Sequence, residues 1–115
     1  MKVYGIKNCN TVSKTITWLN ENNIEFEFHD YKKSGISESK LKEWADQVGW
    51  EALINKRGTT WKKLDAETQI SIVSPETAFA VIVQKTSLIK RPILETSKGI
   101  LLGFEESVYR KELIG

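Results

Sequence analysis

Cysteine, histidine and proline are scarce in this chain: one, one and two residues of 115. A single cysteine excludes an intramolecular disulfide. One cysteine and one histidine make no believable zinc ligand set, so no metal site is expected. A lone free thiol fits a reducing cytoplasm. Long apolar runs are absent; none approaches the roughly 20 residues that span a bilayer. The opening Met1-Lys2-Val3-Tyr4-Gly5 passes straight into polar Lys7-Asn8-Cys9-Asn10, so no secretory signal is expected. Charge of one sign is also lacking. A net charge of +2 gives no reason to expect a nucleic-acid groove or an anionic membrane as partner. There is no repeat, no low-complexity tract, and no Pro- or Gly-rich linker. Walker A, G-x-G-x-x-G and G-x-S-x-G patterns are missing. What remains is 40% apolar and 28% charged, the composition of one ordinary globular domain with its own core. A monomer is expected.

The periodicities give an element order. Val3 to Ile6 is short and β-prone. After the polar loop 7–10, Val12, Ile16 and Leu19 recur at helical spacing up to about Asn22, with Asn10 or Thr11 as cap. Residues 24–31 alternate, Ile24, Phe26 and Phe28 on one face and Glu25, Glu27 and His29 on the other, which predicts a half-buried strand. Ser37 caps a helix whose inner face is Leu41, Trp44, Ala45 and Val48, closed by Gly49. Residues 50–54 allow a short turn and 55–60 read as a polar loop. Asp65 starts a helix to about Val73. Ser74-Pro75-Glu76 starts another that turns Phe79, Ile82 and Val83 inward. Two short strands flank Thr96-Ser97-Lys98-Gly99, and a helix closes the chain over 105–113. The order predicts an α/β fold: a four-stranded mixed sheet, Cys9 at its edge, with a helical insert over about 37–88.

Cys9 is the first candidate for chemistry. It precedes the first helix, where unpaired N–H groups and the positive end of the macrodipole favour thiolate over thiol. Lys7 and Lys14 add positive charge nearby. Its neighbours are polar, which weighs against a buried structural thiol. Cys9-Asn10-Thr11-Val12 lacks the second cysteine of C-x-x-C, so an external thiol must resolve any mixed disulfide. Arg91 and Arg57, each in a loop, have the fork that binds anions bidentately; spacing alone does not bring them together. His29 reads as a surface residue of an edge strand. The tryptophans read as core, with Trp61 alone as a rim contact.

These residues resemble the arsenate reductase (ArsC)-related branch of the thioredoxin superfamily, which includes the Spx regulators, and most of all its YffB-type subgroup. The resemblance is carried by Val3-Tyr4-Gly5-Ile6-Lys7-Asn8-Cys9, Phe28-His29-Asp30-Tyr31, Gly49-Trp50-Glu51-Ala52-Leu53, Arg57-Gly58-Thr59-Thr60-Trp61-Lys62-Lys63-Leu64, Lys90-Arg91-Pro92 and Leu101-Leu102-Gly103-Phe104. It implies a thioredoxin-like fold, Cys9 as nucleophile, Arg91 and Arg57 as anion-contacting residues, and a cis Pro92 facing the thiol. Two departures stand out. Arsenate reductases of this type carry a further arginine near the C-terminal hairpin, where this chain has Leu102-Gly103-Phe104. Spx-type switches commonly use C-x-x-C, and Val12 stands at the second position.

The expected function is therefore a glutathione-dependent thiol oxidoreductase. Cys9 attacks, Asn8, Asn10, Thr11 and the helix amides position the sulfur substituent, Arg91, Arg57 and Pro92 complete the site, and glutathione is co-substrate with no bound cofactor. The alternatives are arsenate reduction and a non-enzymatic, Spx-like protein that docks on a larger assembly such as RNA polymerase.

Overall fold

Val3, Tyr4 and Gly5 are buried because their strand, β1 (Lys2–Gly5), is an interior one. The computed structural model describes residues 1–115. It places β1 between β2 (Glu27–Asp30) and β3 (Ile93–Thr96), with β4 (Gly99–Leu102) outside β3. β1 and β2 are parallel, joined through α1 (Asn10–Glu21); β1 and β3 are antiparallel, as are β3 and β4. This is the expected four-stranded mixed sheet in a thioredoxin-like α/β fold. The β3–β4 turn is tied by Thr96, whose Oγ1 donates to the Gly99 carbonyl (2.7 Å) and accepts from the Lys98 N–H (3.1 Å).

The chain divides into two compact units, Met1–Ser34 with Arg91–Gly115, and Gly35–Lys90. The first holds the sheet. Its core joins Val3 and Leu94 from the strands to Trp18 and Leu19 of α1 and to Tyr109 of the C-terminal α7 (Glu106–Tyr109), with Phe28, Leu101, Phe104 and Leu113 packed against them. Each large apolar side chain buried this way contributes roughly 1.5–3 kcal/mol. Tyr109 meets Trp18 and Phe104 edge-on at 5.5 and 5.1 Å, and its hydroxyl donates to the Gly103 carbonyl. The helix then widens to a π turn over Arg110–Ile114.

The second unit is helical: α3 (Glu38–Val48), a 3-10 turn Trp50–Leu53, α4 (Thr59–Lys63), α5 (Ala66–Ser71), α6 (Pro75–Gln84) and a 3-10 turn Thr86–Leu88. Leu41, Trp44, Leu53, Ala78, Phe79, Ile82, Leu88 and Ile89 are buried. Its middle is tied to its end by an antiparallel bridge at Ile54 and Ile89, flanked by the bonds from Asn55 N–H to the Leu88 carbonyl and from Lys90 N–H to the Leu53 carbonyl, both 2.8 Å.

Several expectations change. The strand foreseen over 24–31 pairs only from Glu27, because Lys2 pairs with Glu27 and β1 has no earlier residue to oppose 24–26. It stops at Asp30, whose carboxylate accepts the N–H groups of Lys32 and Lys33 (3.0 and 3.2 Å) and starts the helical turn α2 (Tyr31–Ser34) where a loop was expected. The polar stretch 55–60 runs into α4. Trp50, expected in the core, is partly exposed like Trp61. Cys9 follows the carboxyl end of β1 and therefore sits past an interior strand, not beside a lateral edge of the sheet.

Candidate functional site

The N-cap of α1 is Cys9 itself, with extended backbone (φ −125°, ψ 125°), and neither Asn10 nor Thr11 takes that place. Its carbonyl accepts the Ser13 N–H at 2.9 Å, the first bond of the helix. The helix therefore starts at Asn10, directly after the turn at Lys7 and Asn8 and one residue earlier than expected. Gly5 is what lets the helix begin this close to the strand. A Cβ on Gly5 would lie 2.9 and 3.2 Å from the two methyl carbons of Val12, closer than packed carbons tolerate. The absence of a side chain at the end of β1 thus sets the seat of α1 and, with it, of the thiol.

The thiol is half-buried and free. Burial pushes its pKa up, and this is the largest single influence. The Val12 N–H, the Arg91 guanidinium by hydrogen bond and charge, and the Thr11 N–H together outweigh it, so the pKa lies below its ordinary value. The Cys9 side chain makes no cap hydrogen bond of ordinary geometry. The amides act on the sulfur as charge develops there, which is the anion-binding property of a helix N-terminus.

Arg91 comes from the other end of the chain, on the segment that enters β3. The Arg91–Pro92 bond is cis, as the resemblance implies, and Pro92 is buried with its carbonyl accepting the Gly103 N–H at 2.8 Å. The partly buried guanidinium lies within hydrogen-bonding reach of both the Cys9 sulfur and the Tyr31 oxygen. Burial works against its charge, yet these two partners hold its pKa above the ordinary value. Tyr31 was not among the residues singled out by sequence. It is fully buried, and burial pushes its pKa up to about 12 despite the opposing pull of Arg91, so the phenol stays neutral. The alternation over 24–31 puts Tyr31 on the face of Glu25, Glu27 and His29, so no local signal marked it as buried.

The remaining candidates are distributed differently. Asn8, Asn10 and Thr11 are exposed around the thiol. Lys7 and Lys14 are exposed as well, and the side-chain charge that acts on the sulfur is that of Arg91. Arg57 belongs to the helical unit, where its N–H donates to Asn55 Oδ1 (3.1 Å) and its side chain is exposed. His29 lies on the edge strand β2, partly buried, its ring 4.9 Å from that of Tyr4. No group of three His, Cys, Asp or Glu side chains is placed to hold a metal ion. No helix is long and apolar enough to cross a membrane.

A mixed thioredoxin-like sheet carrying one thiol at a helix N-terminus, with an arginine on it from the residue before a cis-proline, defines a class of thiol proteins. Within that class the chain belongs to the ArsC family, whose profile matches residues 4–112. It is 44% identical over 108 residues to an uncharacterized protein of Haemophilus influenzae, covering 94% of each chain. The solved structure of a protein named YFFB superposes with a TM-score of 0.91 at 38% identity, covering 97% of each chain. The global transcriptional regulator Spx of Lactiplantibacillus plantarum is 26% identical over 113 residues, 96% of this chain and 84% of the regulator.

Proposed function

We propose that this protein is a glutathione-dependent thiol oxidoreductase working through Cys9 alone. The observation that carries the reading is the Cys9 sulfur under the Arg91 guanidinium at the start of α1, with its pKa lowered against burial. In the first step the Cys9 thiolate attacks the glutathionyl sulfur of a mixed disulfide. A Cys9–glutathione disulfide forms, and the substrate leaves as a thiolate that takes a proton from solvent. In the second step a glutathione thiolate attacks the glutathionyl sulfur on Cys9, forming oxidised glutathione and returning the Cys9 thiolate. One disulfide is broken and one made, and two electrons pass from glutathione to substrate. Val12 stands where a resolving cysteine would be, so the external thiol is obligatory.

Asn8, Asn10 and Thr11 surround the attacked sulfur, and the Arg91 guanidinium attracts a glutathione carboxylate. Arg57 is the further anion contact in this reading. The chain acts as a monomer in a reducing cytoplasm, on a small thiol and not directly on nucleic acid or membrane. Arsenate is disfavoured as substrate, because Leu102-Gly103-Phe104 offers no arginine beside the C-terminal hairpin. The likeness to Spx over nearly the whole chain favours one other reading, a non-enzymatic partner-binding protein. The deciding experiment is mass spectrometry of the protein with oxidised glutathione, then a turnover assay on a glutathionylated peptide. A Cys9 adduct that reduced glutathione removes catalytically supports the oxidoreductase. An adduct without turnover sinks it in favour of the partner-binding reading.

A further inference from the structure

We infer that Tyr31 is a positioning residue for the thiol, its hydroxyl oxygen holding the Arg91 guanidinium against Cys9. Arginine is long and loses rotamer freedom when fixed. Arg91 is only partly buried, so one contact to a sulfur is a weak reason for it to stay. A second, rigid contact changes that balance. Tyr31 supplies it from α2, where the ring is fully buried and the turn beneath it is pinned by the Asp30 carboxylate on the Lys32 and Lys33 N–H groups. The guanidinium fork has donors enough to reach both oxygen and sulfur, and Arg91 is within hydrogen-bonding reach of each.

The choice of a phenol matters. A carboxylate at this place would also hold the arginine, but it would compete with the thiolate for its charge. A buried phenol accepts a hydrogen bond while remaining neutral through the whole physiological range. The charged groups that face it are Arg91, Cys9 and Asp30. Cys9 is thus the sole member of this triad that gains a negative charge within the physiological range. The inference takes from the proposed function only that Cys9 is the reacting thiol.

The test is Cys9 alkylation by iodoacetamide followed against pH in the full chain, in a double-mutant cycle of Tyr31→Phe and Arg91→Ala. Phenylalanine keeps the ring and removes the oxygen. Tyr31→Phe alone is expected to move the alkylation midpoint up and slow the reaction near neutral pH roughly two- to ten-fold, the size of one net hydrogen bond. In the Arg91→Ala background the same substitution is expected to change nothing, because the arm it positions is gone. A Tyr31→Phe effect of equal size in both backgrounds means general loosening of the site and overturns the inference. So does an unshifted midpoint in the single variant. If Tyr31→Phe does not fold, Tyr31→Met, which also fills the site without an oxygen, is run in the same two backgrounds: a midpoint raised with Arg91 present and unmoved in Arg91→Ala supports the inference, and any other pattern overturns it. Alkylation needs no glutathione, so these outcomes stand apart from whether the protein turns glutathione over.

Discussion

Three helices of the helical unit start differently from α1 of the sheet unit. In Gly35–Lys90, α3, α5 and α6 each begin on a side chain that accepts the N–H three residues on: Ser37 from Lys40 (3.1 Å), Asp65 from Thr68 (2.7 Å), Ser74 from Thr77 (3.3 Å). At α6 the Thr77 hydroxyl also receives the Ser74 N–H (3.1 Å), a reciprocal box. In the sheet unit α1 begins on Cys9, which gives no such bond. At α3, α5 and α6 the cap bonds stabilise the helix start. The sheet unit leaves the N–H groups of Thr11 and Val12 turned to a sulfur, where they lower the pKa of the thiol. Where those three helices carry a permanent oxygen acceptor, α1 carries a thiol whose charge is optional.

The strongest way to break the comparison is to convert α1 to the other type. Cys9→Ser is expected to abolish the glutathione adduct completely, while the hydroxyl caps the helix and leaves unfolding stability equal or higher by about 0.5–1 kcal/mol. Mass spectrometry and a denaturant titration read the two halves; a marked loss of stability would mean the sulfur is needed for packing and not for chemistry. Next in size is Gly5→Ala. The new Cβ would press on Val12, and overpacking of this kind costs about 1–3 kcal/mol. The melt should fall and Cys9 alkylation should change with it, since the start of α1 must move; adding Val12→Ala should restore part of both.

Ser74→Ala tests the other side. Removing the box should cost about 1 kcal/mol and leave the pH profile of Cys9 alkylation untouched. A shifted profile would show that capping in the helical unit reaches the thiol. The smallest expected effect is a pH dependence of stability. The folded-state pKa of Cys9 is depressed, so its thiolate stabilises the fold fully above the unfolded-state pKa. That contribution declines as pH drops and is gone below the folded-state pKa. Unfolding free energy of wild type minus that of Cys9→Ser should therefore rise with pH across this window and be flat below it.

Much of this was legible in residue order. Alternation, helical spacing and the Ser37, Asp65 and Ser74-Pro75 starts are local signals, and each marks a helix that forms where its cap stands. The hairpin around Ser97-Lys98 and the mixed sheet followed from the same reading. Boundaries set by partners were not legible. Nothing within residues 24–26 says that β1 begins too late to pair with them.

The site divides along the same line. By itself the sequence determined that there is one thiol, that it precedes a helix, that no second cysteine resolves it, and that the C-terminal hairpin carries no arginine, because these are matters of covalent order and local backbone. Only the tertiary structure decided which residues act on that thiol. Arg91 is 82 positions from Cys9 in the chain, and β3 brings it there by pairing antiparallel to β1. Tyr31 arrives through the parallel pairing of β2 with the same strand. β1 is the interior strand that both neighbours must join to bury their apolar faces, so the loop after it becomes the place where distant residues meet.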